Sequence, residues 1–295
     1  MAKENLQTQR GGIDLRTQFR TEKKYAECIL KLAQTVDCIS EKKPERFKKK
    51  CKENRGVINL FNYFGGTQDG LERKNPLIVG LGDSVTAGHF EYITDLREYI
   101  ERERQGLIRE NESIEITDSR ESYLEKFREK LIDHYELLTP SVINSGIAGD
   151  NIKGMQKRLY RDVIRYQPDL VIINASLNWG PECGPKEEYH RVLTEVVAAV
   201  KEETCADIIL LTSNMSLMPE NDPFFNIECI LEDRIRIIRE LAKTQDVCLA
   251  DAYKVWEEYA GQRYPVEALL ANGINHPSIT GHEVFAEVLM KLITD

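Results

Sequence analysis

Five apolar runs rich in β-branched residues, separated by stretches of helical periodicity, constrain this chain more than any other feature. They are LIVGLG (77–82), VINSGI (142–147), DLVIINAS (169–176), ADIILLTSN (206–214) and DVCLADA (246–252). Runs that are apolar almost throughout, instead of alternating with polar residues, suit strands covered on both faces, the usual state of a parallel sheet. Between and after them, stretches 151–167, 187–203, 225–245 and 279–293 place apolar residues three and four apart, as in Ile152, Met155 and Leu159. Alternating strands and helices with right-handed crossovers predict a three-layer α/β/α sandwich around a five-stranded parallel sheet. A further helix is expected over 122–135, and the polar stretch 106–120 reads as an insertion.

With 295 residues, 41% of them hydrophobic, the chain has ample material for a buried core. No apolar run approaches the roughly 20 residues of a membrane helix, and the opening MAKENLQTQRGG lacks the apolar centre of a signal peptide. The expectation is a soluble, cytoplasmic protein with no membrane partner. Seven cysteines without a C-x-x-C pair suit reduced thiols better than a disulfide framework or a zinc site. The formal net charge of −9 is unevenly spread. Residues 1–75 carry 17 Lys and Arg against 10 Asp and Glu, and the remainder is net −16. The acidic bulk argues against nucleic acid as a partner. Residues 1–75 are expected to form a basic, mainly helical extension that docks on its own or a neighbouring copy, with a homo-oligomer as one outcome. Residues 76–295 form the main domain.

In an open parallel sheet, ligands bind outside the carboxyl ends of the strands. Four segments deliver small or polar groups to that rim: Gly82-Asp83-Ser84, Gly149-Asp150-Asn151, Ser176-Leu177-Asn178-Trp179-Gly180, and Asn272-Gly273-Ile274-Asn275-His276-Pro277. The set supplies what acyl transfer needs. Ser84 is a candidate nucleophile at a strand-to-helix turn, aided by the helix's positive end, and His276 a candidate general base. The Asn178 side chain and the Gly149 and Ser84 backbone N–H groups are candidate oxyanion donors.

At these residues the chain resembles the SGNH, or GDSL, hydrolases: G-D-S with T-A-G, the Gly of I-A-G-D-N, the Asn of S-L-N-W, and N-H-P followed by G-H, in that order. The resemblance implies a flavodoxin-like fold with strand order 2-1-3-4-5 and ester hydrolysis without metal or other cofactor. By that similarity Ser84 is the nucleophile, His276 the base, and Gly149 and Asn178 complete the oxyanion hole. The substrate expected is a short-chain, best an acetyl, ester of a carbohydrate or other small alcohol. Trp179 and Asp83 are the candidate substrate contacts.

Two departures stand out. Ser176 and Trp179 replace the Gly and Asp of the usual G-x-N-D block. The Asp usually found three or four residues before the base is absent, since Gly273 and Asn272 occupy those places. The expectation is therefore a Ser–His dyad with a neutral orienter, the carbonyl of Asn272 or a backbone carbonyl, unless Asp251, Glu257 or Glu267 supplies a carboxylate from elsewhere. A catalytically weak domain that binds an acylated ligand, and an O-acyltransferase, are the rival readings. His282 is expected to pack or cap, and His89 is a minor candidate for the pocket wall.

Overall fold

The computed structural model describes residues 20–53, 75–92, 101–102, 104–107, 114–136 and 138–294. Five parallel strands form the central sheet: β1 (Leu77–Gly82), β4 (Ser141–Gly146), β5 (Leu170–Asn174), β6 (Asp207–Leu211) and β7 (Cys248–Ala250). They lie in the order β4-β1-β5-β6-β7. The order is the expected 2-1-3-4-5, and each apolar run of the sequence holds one strand. Gly82 pairs with Gly146 on one side and Asn174 on the other.

Successive side chains of a strand point to opposite faces, and two cores result. Ile78, Leu170, Ile172, Ile209 and Leu211 enter one, whereas Leu77, Val79, Val171, Ile173 and Leu210 enter the other. The first core packs under α4 (Tyr123–Tyr135), α8 (Ala252–Gly261) and α9 (Ile279–Thr294), and the second under α5 (Ile152–Asp162) and α6 (Lys186–Glu203). The remaining long helix, α7 (Leu231–Thr244), contributes to both. Its stretch was expected to be helical from 225, but the helix begins at Leu231, after turns through 220–225.

Two regions depart from the sequence reading. Part of the expected insertion is a strand, β3 (Ile114–Thr117), which pairs antiparallel with β2 (His89–Tyr92) outside the main sheet. The described part of the basic extension shares the main core. Its helix α1 (Lys23–Thr35) buries Ile29 and Ala33, and α2 (Glu45–Glu53) buries Phe47 and Cys51. Ile39 forms an antiparallel bridge with Ala250, extending the sheet past β7. Lys50 meets Asp169 at 2.6 Å, and Lys291 of α9 donates to the carbonyls of Ala33 and Val36 at the end of α1. The basic run 49–55 is described only to 53, where Cys51 is buried, Lys50 is half-buried and Lys49, Lys52 and Glu53 are more open.

Candidate active site

The strand order reverses between β1 and β5, and that crevice lies where the loops after β4, β1 and β5 stand side by side. A cavity of about 610 Å³ opens there, and Ser84, Gly149, Asn178 and His276 all line it. Ser84 begins α3 (Ser84–Ala87), a four-residue helix closed at Gly88. So short a helix carries little macrodipole, which removes the electrostatic help expected from it. The Ser84 Oγ lies 2.8 Å from Nε2 of His276. Both residues are buried, with 3% and 6% of their surface exposed.

Burial, with a smaller contribution from the neighbouring His89, pushes the His276 imidazole down to about 3. His89, brought in by β2, meets the His276 ring edge-on at 5.1 Å between centroids, and its Nδ1 is 3.1 Å from Thr117 Oγ1 on β3. The short β2–β3 pair thus supports a wall of the cavity, and His89 lines it. His282 is elsewhere: fully buried, stacked on Tyr123, it accepts the Tyr123 N–H through Nδ1 and so caps α4. His134 and His190 are exposed.

Gly149 stands at φ 75° with its face open to the cavity, a conformation that a side chain would strain. Asn178 holds φ 48°, and its Nδ2 donates to the Asp150 carbonyl at 3.2 Å, leaving its second N–H available. Trp179 lines the cavity but keeps only 2% of its surface exposed. Its Nε1 donates to Gly184 and its ring meets Tyr189 edge-on.

Asp83 is not on the wall. It is fully buried behind Ser84, where Oδ1 accepts the Val85 N–H and caps α3. Desolvation raises its carboxyl to about 7. Asn272 is also placed differently from expectation. Its Oδ1 accepts the backbone N–H groups of Ile274, Asn275 and His276, each at 3.0 Å, which ties the turn that carries the histidine. The carbonyl is therefore committed, and the amide Nδ2 lies 3.4 Å from His276 Nδ1. Asp251 and Glu257 are both engaged with Arg239, and neither they nor Glu267 line the cavity.

One residue that holds the rim together has no signature in the sequence. Arg158, on α5, is 8% exposed and donates to Asp150 Oδ2, Asp162 Oδ2, the Ser145 carbonyl and the Gly82 carbonyl. A single guanidinium thus joins the ends of β1 and β4 to the Gly149 loop. In the sequence it is one more basic residue on an amphipathic helix. The stretch after β6 is positioned by Leu217 N–H donating to Ile274 and by Asn214 Nδ2 donating to Asn275. It sends Met218, Phe224 and Phe225 to the cavity, while Met215 packs on the core.

Among the described residues, no group of three or more His, Cys, Asp or Glu is placed to hold a metal ion, and no helix is long and apolar enough to cross a membrane.

The chain is similar to several known proteins. An acetylxylan esterase of Geobacillus stearothermophilus is 29% identical over 168 residues, covering 54% of this chain and 74% of that protein. The crystal structure of an acetylxylan esterase from the same organism superposes with a TM-score of 0.53 at 22% identity, over 75% of this chain and 94% of that one. A lipase/acylhydrolase from Enterococcus faecalis gives 0.54 at 20% identity, over 73% and 94%. At these identities the structures establish the fold, which is that of the SGNH esterases. The model of the GDSL-like lipase/acylhydrolase family matches residues 81–284, more than half of the chain. This protein is therefore a carboxylic ester hydrolase and belongs to the GDSL-like lipase/acylhydrolase family.

Proposed function

We propose that the protein is a serine esterase that removes short acyl groups, acetyl foremost, from a carbohydrate or other small alcohol. The observation that carries this reading is the 2.8 Å contact between Ser84 Oγ and His276 Nε2 on the wall of a cavity shared with Gly149 and Asn178. The likeness to an acetylxylan esterase supports the choice of acetyl.

In the mechanism, His276 takes the Ser84 proton as Oγ attacks the ester carbonyl. The free N–H of Asn178 and the backbone N–H groups of Gly149 and Ser84 receive the negative charge that develops on the carbonyl oxygen. His276 returns the proton to the departing alcohol, and water, activated by the same imidazole, releases the acyl group. Seven free thiols suit a reducing, cytoplasmic setting. The test is hydrolysis of para-nitrophenyl acetate: Ser84→Ala is expected to abolish it, and unchanged turnover would refute the assignment.

One observation favours a second reading, a weakly catalytic domain that binds an acylated ligand. Gly273 stands where the family usually carries Asp, and Asn272 presents an amide donor, not an acceptor, to His276 Nδ1. A donor there favours the tautomer with its proton on Nε2, facing Ser84, which is the wrong one for a base. Fluorophosphonate labelling separates the readings, since an activated Ser84 reacts and an inert one does not.

A further inference from the structure

Two arginines among the described residues are each 8% exposed, and their surroundings differ. Arg158 is met by two carboxylates, those of Asp150 and Asp162. Arg234, in the first turn of α7, makes no ion pair with a carboxylate among the described residues, and Glu232 acts on it only as a more distant charge. Its Nε donates to the Ser176 carbonyl at 2.5 Å and its Nη1 to the Cys229 carbonyl. A guanidinium has five N–H groups; the two carbonyls and the Cys229 thiol, a weak acceptor, leave two or more of them for a ligand. Arg234 lines the same cavity as Ser84 and His276.

A buried charge is costly unless it is paired. Desolvation is the main influence on Arg234 and lowers its affinity for the proton. Carbonyl dipoles offset part of that cost, and a carboxylate would offset more through a charge-assisted, forked contact. The Ser176 carbonyl that Arg234 grips is two residues from Asn178, on the oxyanion side of the cavity. Building on the esterase reading above, we propose that Arg234 forms a subsite for a carboxylate carried by the ester substrate.

The other charged residues of the wall set a limit on that ligand. Glu182 and Glu232 are exposed and Asp222 is half-buried, and each already accepts a hydrogen bond, from Cys183, Tyr253 and the Phe224 N–H respectively. Near solvent their charges are screened, whereas that of Arg234 is not. Three rim carboxylates around one buried cation admit a compact monoanion and disfavour a polyanion. The carboxylate sits on either the acyl or the alcohol portion of such an ester.

Two matched pairs of esters decide this. Para-nitrophenyl hemiglutarate against para-nitrophenyl butyrate places the charge on the acyl side. Para-acetoxybenzoate against its methyl ester places it on the alcohol side. In the wild type, kcat/KM of the charged member of one pair is expected to exceed that of its neutral partner by about tenfold or more. That ratio should collapse toward one in Arg234→Gln and survive in part in Arg234→Lys, whatever uniform loss the broken Ser176 contact brings to both members. No preference in either pair, or a preference undiminished in Arg234→Gln, would overturn the proposal. Should Arg234→Gln not fold, the wild type alone decides. Butyrate must then inhibit para-nitrophenyl acetate turnover about tenfold more strongly than butyramide, and equal inhibition would count against the subsite. Ser84-dependent turnover of the neutral esters shows separately whether the esterase reading itself holds.

Discussion

Replacing Arg158 by methionine tests whether one buried guanidinium holds the rim together. Methionine preserves much of the aliphatic packing but leaves the Asp150 and Asp162 carboxylates, each with only 14% of its side chain exposed, without their shared cation. It also removes a donor from the carbonyls of Gly82 and Ser145. Removing one partner of a buried ion pair costs about 3–5 kcal/mol, because the other charge stays desolvated. Asp162 retains Arg161 at 2.6 Å, so the lower half of that range, about 3 kcal/mol, is the expectation. With a urea m-value near 3 kcal/mol/M, the unfolding midpoint falls by about 1 M. Pairing the change with Asp150→Asn removes the stranded charge and should recover part of the loss, a non-additivity of about 1 kcal/mol or more. Esterase activity should fall in Arg158→Met under conditions where the protein remains folded, because the Asp150 carbonyl that steadies Asn178 is no longer anchored. A stability loss below about 0.5 kcal/mol, the level of an ordinary surface change, would refute the reasoning.

Asp83→Asn keeps the cap on α3 and removes a buried ionisation. A carboxyl raised to about 7 in the folded state, against 3.8 ordinarily, binds protons more tightly folded than unfolded. Wild-type stability therefore declines as pH rises from about 4 to 7, by about 4 kcal/mol at most, and urea titrations should show the variant gaining on the wild type across that window and matching it near pH 4. Ile29→Ala, in α1, should cost about 2–4 kcal/mol in thermal or urea unfolding, whereas a value near zero would mean that α1 does not belong to the core. Gly273→Asp puts a carboxylate where the family usually has one. A Cβ there meets nothing within 4 Å, although φ is 70°, so a modest stability loss with a rise in kcat/KM of about tenfold or more is expected. Unchanged kinetics would show that the orientation of His276 does not limit the rate.

Residues covered on both faces were the easiest to read from sequence. All five strands of the main sheet announced themselves because Val79, Ile172 or Leu210 has no solvent side to alternate with. The site was legible for a related reason: Ser84, Gly149, Asn178 and His276 each follow a strand or precede a helix, where local turn chemistry limits the choice of residue. What escaped depends on tertiary contact. Ile29, Ala33 and Phe47 lie in helices that are amphipathic but polar on average and crowded with lysine, a pattern shared with a solvated surface helix, so periodicity alone does not show that α1 and α2 are core elements. The four-residue strand β3 pairs with β2 outside the main sheet, and its sequence, IEIT, sits beside charged residues that resemble a loop. Arg158 and Arg234 look like solvent-facing charges until the carbonyls they grip are seen. Asn272 was the right residue at the right turn, but three backbone N–H groups claim its carbonyl, and no spacing rule reveals that competition.

The closure of the sheet edge by residues 38–40 has a consequence for the order in which the molecule can be assembled. The Leu249 N–H bonds to Ser40 Oγ across 209 positions of chain, and Lys291 reaches Val36 across 255. During synthesis α1 leaves the ribosome long before α8 and α9, against which it packs, and a 13-residue helix is marginal in water by itself. The face carrying Ile29 and Ala33 must therefore wait for nearly the whole chain, and β7, formed late, remains an open edge until Ile39 docks. Contacts of such long range slow the final step of folding and lengthen the time for which the nascent protein can associate with others.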